Sequence, residues 1–279
     1  MRTLRRGPGP ESRFCHKGVR NRFAIGPGRW FTARVFAAVI AMRVPVPRFA
    51  PLLALCLLLA VPAAWAAPPA ADGGAATAPL DPVSSPDWAA DMARFAAQDA
   101  ATPPPAHPIV FTGSSSMRLW TTLADDFPGK PVLNRGFGGS QLRDAVHYAD
   151  RIAVRYRPRA IVLYAGDNDL NAGRTPRQVL GDFRAFVVRV RRDLPRVPIV
   201  VLAIKPSVAR AAQLPQQREA NALLRAEAGR WRHVAFVDVA TPMLDRDGRP
   251  RPELFVEDGL HMNRAGYALW TRLLAGHLP

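Results

Sequence analysis

Four short segments carry the residue types that acyl-transfer chemistry needs. They are Gly113-Ser114-Ser115-Ser116, Asn134-Arg135-Gly136-Phe137-Gly138-Gly139, Gly166-Asp167-Asn168-Asp169 and Asp258-Gly259-Leu260-His261. Attack on an ester carbonyl takes a nucleophile, a base to deprotonate it, a group to hold that base, and donors for the oxyanion that develops. Ser115 can supply the attacking hydroxyl and His261 the base. Asp258 lies three residues before His261, within reach of the imidazole N–H, where it would fix the tautomer. The backbone N–H groups of Ser115 and Gly139 can serve the oxyanion, since glycine permits close approach and unusual dihedrals. The Asn168 amide is a third donor. Each segment alone is unremarkable in type: a Gly-Ser turn, a weak Gly-x-Gly-Gly phosphate signal, an Asn cap, a surface histidine. The conjunction points to a hydrolase, provided that the fold gathers all four.

The elements that must do the gathering alternate along the chain. Ile109-Val110-Phe111-Thr112 reads as a strand that delivers the serines to its carboxyl end. Pro131–Asn134, Ala160–Tyr164, Ile199–Ile204 (the longest) and Val234–Asp238 read as four more strands. Between them the apolar spacing predicts helices: Met117 to Phe127, Leu142 to Ile152, one opened by Thr175-Pro176 and running to Leu194, and one through Ala220 and Ala228. Ser85 caps a leading helix that Pro103-Pro104-Pro105 stops, and Asn263 caps a final one. The strands are continuous apolar runs, as expected when both faces are covered. Strand and helix taking turns argues a parallel sheet sandwiched by helices. All four chemical segments then fall at or just beyond the carboxyl end of an element, the edge where open α/β sheets bind ligands.

With these residues in place, the chain resembles the SGNH/GDSL hydrolases over residues 106–277. The Gly-x-Asn-Asp and Asp-x-x-His segments are the most specific part of the resemblance. It implies a flavodoxin-like three-layer α/β/α sandwich with a five-stranded parallel sheet in the order 2-1-3-4-5. It implies Ser115 as nucleophile, Gly139 and Asn168 as oxyanion donors beside the Ser115 N–H, His261 as base and Asp258 as its partner. One departure matters: the family's first segment usually reads Gly-Asp-Ser, and Ser114 stands here in the aspartate's place. Three consecutive serines leave the register open, and spacing to Trp120 favours Ser115. Two readings of Ser114 stand equally: it hydrogen-bonds locally in the aspartate's stead, or it marks a subgroup with an altered substrate range. Lys205, after the fourth strand, is expected to be a solvated loop lysine rather than a part of the site.

Charge and cysteine position narrow the remaining classes. The 279 residues carry a formal net charge of +16. Eleven of the 38 Lys and Arg but only one of the 22 Asp and Glu lie in residues 1–66, a net of +10 there against +6 in residues 67–279. The remainder has no basic run with interleaved aromatics, so nucleic acid is not an expected partner. Residues 42–66 have the layout of a secretory signal peptide: Arg43 and Arg48, an apolar run from Phe49 to Val61, and an Ala-x-Ala site ending at Ala66. Residues 1–41 read as an upstream extension, 67–84 as a flexible linker, and 85–279 as the hydrolase domain. Both cysteines, Cys15 and Cys56, precede the cleavage site, so the mature chain has no thiolate chemistry and no disulfide. No metal-ligand spacing is present, and no cofactor is expected.

The expected protein is an exported, periplasmic or secreted serine hydrolase acting on short-chain acyl esters, acetyl foremost. Its substrate is a small acyl ester or an acylated glycan, and no stable membrane anchor remains after cleavage; the rival location is anchorage by an uncleaved N-terminal segment. The rival activities are a thioesterase or lysophospholipase on the same site, or a non-catalytic glycan-binding domain. The irregular stretch Ala240 to Glu257 is polar and Pro-rich, which offers no apolar lid.

Overall fold

The computed structural model describes residues 81–279. The expected extension, the signal peptide and the linker up to residue 80 lie outside the described residues. Five strands form one parallel sheet: β1 (Ile109–Gly113), β2 (Val132–Gly136), β3 (Ala160–Tyr164), β4 (Ile199–Leu202) and β5 (Val234–Val237), in the order β2-β1-β3-β4-β5. This is the flavodoxin-like α/β/α sandwich with the expected strand order. The helices are α1 (Trp88–Ala101), α2 (Ser115–Arg118), α3 (Leu123–Asp126), α4 (Leu142–His147), α5 (Ala149–Ile152), α6 (Asp167–Asn171), α7 (Pro176–Asp193), α8 (Leu214–Ala228) and α9 (Arg264–Leu274).

Strand periodicity explains the two-sided core. Along each strand alternate residues point to opposite faces. Val110, Ile161, Leu163, Ile199 and Val201 join a cluster with Phe95, Val146, Phe183, Phe186 and Leu224 from α1, α4, α7 and α8. Ile109, Phe111, Val162, Tyr164, Val200 and Leu202 join the other, with Met117, Trp120, Phe127, Tyr267 and Trp270. Every residue of β1 and β3 is buried, which is why their sequences are uniformly apolar up to Thr112. Trp120 stands at the centre of an aromatic group, with ring centroids 5.1 Å from Tyr267, 5.7 Å from Phe111 and 6.1 Å from Trp270. Such pairs add about 0.5–1.5 kcal/mol each beyond burial, and this group seats α2 and α9 on the face beside the serine.

Several boundaries differ from those expected, for local reasons. The run Met117–Phe127 is two short helices rather than one. Trp120 Nε1 and Thr122 Oγ1 both donate to Asp126 Oδ2, at 2.6 and 2.8 Å, and that bonding folds a turn between α2 and α3. Leu142–Ile152 likewise divides at Tyr148, whose buried ring packs edge-on to Phe137. Strand β2 continues to Gly136, so the second chemical segment begins inside it. Strand β4 ends at Leu202 and is one residue shorter than β1 and β3, not the longest. Helix α1 starts at Trp88, and Ser85 Oγ accepts only the Asp87 N–H, closing a turn ahead of the helix. The caps of α7 and α9 are as expected: Thr175 and Gln178 bond reciprocally, and Asn263 Oδ1 accepts from Ala265 and Gly266. The end of the expected linker is tied to the domain, since Ser84 donates twice to Asp144 and Asp81 pairs with Arg174.

Candidate active site

Strand register brings three of the four segments side by side. Gly113 at the end of β1 is the partner of Gly136 on β2 and of Tyr164 on β3. The chain leaving these three residues therefore forms one rim of loops at the carboxyl edge. Gly113 has a φ of +121°, and a Cβ there would fall 1.8 Å from the Tyr164 carbonyl oxygen. Only glycine turns the chain here, and the turn places Ser114 and Ser115 at the start of α2. The Ser114 N–H donates to Tyr164 O at 2.9 Å. The Ser114 Oγ is fully buried and finds no hydrogen-bond partner among the described residues. The local bond expected in the aspartate's place is therefore not formed.

The fourth segment reaches the same rim from the turn before α9. His261 Nε2 lies 3.0 Å from Ser115 Oγ, and its Nδ1 lies 2.6 Å from Asp258 Oδ2. The other carboxylate oxygen, Asp258 Oδ1, accepts the backbone N–H groups of Leu260 and His261, each at 2.8 Å. A carboxylate only accepts, so Nδ1 carries the imidazole proton and Nε2 presents its lone pair to the serine. The His261 backbone N–H and the further bonds to Leu260 and the imidazole hold the Asp258 carboxyl down at about 2. Asp258 is therefore ionised around neutral pH and accepts the Nδ1 proton of the neutral imidazole.

Asn168 lies in the first turn of α6, just after β3. Its Nδ2 donates to the Ser140 carbonyl at 3.0 Å, and its Oδ1 accepts from Arg210 Nη2 at 3.0 Å. Amide oxygen and nitrogen are thus distinguished from both sides, and one N–H remains to point elsewhere. Gly139 sits in the β2–α4 turn with a φ of +87°, and a Cβ there would come within 3.2 Å of the Trp88 ring. The adjoining Ser140 is the residue whose carbonyl holds Asn168, so the third segment is bonded to the residue that follows the second.

Four further residues at the rim were given no role from the sequence, and a fifth, Lys205, was misplaced. Ser140 contributes a backbone carbonyl, which leaves no trace in a side chain. Asp167 and Arg210 form an ion pair at 3.3 Å beside Asn168. Asp169 is fully buried and accepts the Leu142 N–H with both oxygens, at 3.0 and 3.1 Å, which fastens α4 to α6. Lys205 departs from its expected place as a solvated lysine: its side chain is 1% exposed, and Nζ donates to the Leu260 carbonyl at 2.8 Å. Its partners come from two distant segments, so nothing near it in sequence marks it as buried.

Burial pushes the Asp169 carboxyl up to about 7, against an ordinary value of 3.8. A carboxyl raised in the folded state binds more protons folded than unfolded across that interval, so it makes stability fall as pH rises from about 4 to 7. Asp169→Asn keeps an acceptor for the Leu142 N–H and cannot ionise. Urea midpoints measured from pH 4 to 8 should show a smaller decline in the variant than in the parent. Parallel pH profiles would contradict the assignment of that decline to Asp169.

No cluster of metal-ligating residues occurs among the described residues, and none of the described helices is long and apolar enough to cross a membrane. No curated protein matches the chain in sequence. Solved structures do resemble it. A Streptococcus pneumonia protein, provisionally given as a platelet activating factor, superposes with a TM-score of 0.62 at 23% identity, over 69% of this chain and 93% of that one. A provisional acylhydrolase from Bacteroides fragilis gives 0.59 at 22% identity, over 69% and 97%. A GDSL-like lipase from Bacteroides thetaiotaomicron gives 0.57 at 19% identity, over 67% and 97%. These likenesses are likenesses of fold. The model of one sequence family spans residues 86–269, from the turn before α1 into α9, and so includes all four chemical segments. The chain belongs to the GDSL-like Lipase/Acylhydrolase family.

Proposed function

We propose that this protein is an exported serine hydrolase that cleaves short-chain acyl esters, acetyl esters in particular, with Ser115, His261 and Asp258 as its triad. The observation that carries the reading is the single imidazole of His261 within hydrogen-bond distance of both Ser115 Oγ and Asp258. Ser115 Oγ attacks the ester carbonyl as its proton passes to His261 Nε2. The tetrahedral oxyanion is met by the Ser115 and Gly139 N–H groups and by the free Asn168 amide N–H. The proton on His261 then goes to the leaving alcohol oxygen, and the acyl group stays on Ser115. Water, deprotonated by His261, attacks the acyl-serine, and the collapse returns the proton to Ser115 and releases the acid.

Size and export rest on separate supports. Val208 and Val256, both exposed, flank the Asp258–His261 turn: Val208 packs on Gly259, and the Val256 N–H donates to the His261 carbonyl. Two small branched side chains beside the base turn give a long acyl chain little apolar surface to lie on. The stretch Ala240–Glu257 carries two short 3-10 turns and a Leu244–Pro250 bridge, with no long apolar helix among its described residues to serve as a lid. Export is supported by the sequence layout of residues 42–66, and an acylated glycan outside the cytoplasm is the substrate that location favours.

A substrate panel on the purified protein tests the reading. Acetyl and propionyl esters of a chromogenic phenol and an acetylated oligosaccharide should turn over fastest, with kcat/KM falling from butyryl upward. Preference for an acyl thioester or a lysophospholipid would assign the site to those rival activities instead. Turnover of none of them, with saturable binding of the oligosaccharide, would replace the hydrolase by a glycan-binding module.

A further inference from the structure

Ser115, Asn168 and His261 stand on three separate segments, at the starts of α2 and α6 and in the turn before α9, and one loop touches two of these. It runs from Lys205 to Arg210, after β4. Lys205 Nζ donates to Leu260 O at 2.8 Å, and the Ala209 N–H donates to Gly259 O at 3.0 Å. Both bonds fall on the turn between Asp258 and His261. Arg210 Nη2 donates to Asn168 Oδ1 at 3.0 Å, and Arg210 Nη1 lies 3.3 Å from Asp167 Oδ2. Lys205 Nζ also faces Asp167 Oδ2, at 3.8 Å. We propose that Lys205 and Arg210 are positioning residues for the ester hydrolysis read above, with this one loop setting the base and the oxyanion donor relative to each other.

Three physical points carry the inference, which rests on the serine-hydrolase reading. The first concerns Arg210. An amide swings about its last torsion unless its two ends are distinguished. With Oδ1 held by a guanidinium and one N–H held by the Ser140 carbonyl, the flipped amide would set N–H against guanidinium and oxygen against oxygen. The second N–H of Asn168 is therefore kept as a donor. A cation on the amide oxygen also polarises that N–H, since hydrogen bonds in a chain strengthen one another.

The second point concerns Lys205. A fully buried ammonium is a poor investment in stability, because an apolar side chain of the same length commonly serves the fold as well or better. Its side chain is 1% exposed and that of Asp167 is 5%. What the ammonium does that a methionine could not is hold a carbonyl one residue before His261 and a carboxylate one residue before Asn168. The third point is connectivity. Asp167 Oδ2 forms an ion pair with both cations, at 3.8 Å from Lys205 Nζ and 3.3 Å from Arg210 Nη1, so movements of the base turn and of the α6 start are coupled electrostatically through a single carboxylate.

The test combines kinetics with a double-mutant cycle on the purified full chain, using a chromogenic acetyl ester. Arg210→Ala should lower kcat about tenfold with KM changed less than about twofold, since a misdirected donor affects the transition state and not ground-state binding. Arg210→Lys, which keeps a cation near the amide oxygen, should recover part of that loss. In an Asn168→Ala background, Arg210→Ala should have almost no further effect on kcat, because the group it orients is gone. A merely structural arginine would give the same factor in both backgrounds. Lys205→Met should lower kcat while leaving the melting temperature equal or higher. If Lys205→Met does not fold, the Arg210 cycle decides alone. Unchanged kcat in Arg210→Ala, or factors that multiply in full with Asn168→Ala, would overturn the positioning role while the hydrolase reading stands. A parent protein with no esterase activity would overturn that reading, and this inference with it.

Discussion

Ser115→Ala should reduce kcat for a short-chain ester by about 10⁵–10⁶, to the level that binding and oxyanion contacts sustain without a nucleophile. The size follows from the geometry. His261 Nε2 has the Ser115 hydroxyl at 3.0 Å and is oriented toward it by Asp258 on the other side of the ring. Removing the hydroxyl leaves the base with nothing to deprotonate except water, and removes the covalent intermediate. His261→Ala should cost about as much, and the double variant hardly more than either, because the two act as one unit. Ser114→Ala and Ser116→Ala should keep turnover: the Ser114 Oγ is buried without a partner, Ser116 is buried as well, and neither hydroxyl lies within bonding distance of the imidazole. Steady-state kinetics on the three serine variants resolve the register of the Ser114-Ser115-Ser116 run. Loss of turnover in Ser114→Ala with retention in Ser115→Ala would move the nucleophile.

Asn168→Ala should lower kcat by about 10²–10³, equivalent to about 2.7–4 kcal/mol of transition-state stabilisation. KM should change little. A neutral ester carbonyl in the ground state makes weak use of the donor, whereas the oxyanion makes full use of it. Asn168→Asp is the sharper variant, since it presents a carboxylate where charge develops and should be at least as damaging. Loss expressed mainly in KM would mean that Asn168 binds substrate rather than stabilising the oxyanion.

How far the sequence carried can be read from these same residues. The strands, and the placing of Ser115, Asn168 and His261 at one edge of the sheet, were legible because each depends on local signals: apolar runs of strand length, a glycine at the turn, an aspartate three residues before a histidine; the sheet order came only with the family resemblance. Gly113 illustrates the link, since the steric demand at Tyr164 O forces the residue type that marks the end of β1. Partners far apart in sequence were not legible. Lys205 was read as solvated because its neighbours Pro206 and Ser207 say nothing of Leu260 or Asp167. Arg210 is one arginine among many, distinguished only by which amide it meets. Ser140 acts through a carbonyl. The division between α2 and α3 is set by Asp126 accepting from Trp120 and Thr122, and by Arg264 of α9 reaching the same carboxylate. Helical spacing across Met117–Phe127 carries no sign of that competition. The polar partner expected for Ser114 is missing for a related reason: the departure from the usual aspartate is visible in sequence, but the buried surroundings of the hydroxyl are not.

The central claim is that the Ser115 hydroxyl is the nucleophile activated by His261. A fluorophosphonate probe followed by peptide mass spectrometry tests it most directly, because phosphonylation needs the same activated oxygen and leaves a mass on it. The account predicts one adduct, on Ser115, formed rapidly in the parent protein, slowed by orders of magnitude in His261→Ala and missing from Ser115→Ala. An adduct on another residue, or labelling at an equal rate in His261→Ala, would contradict it.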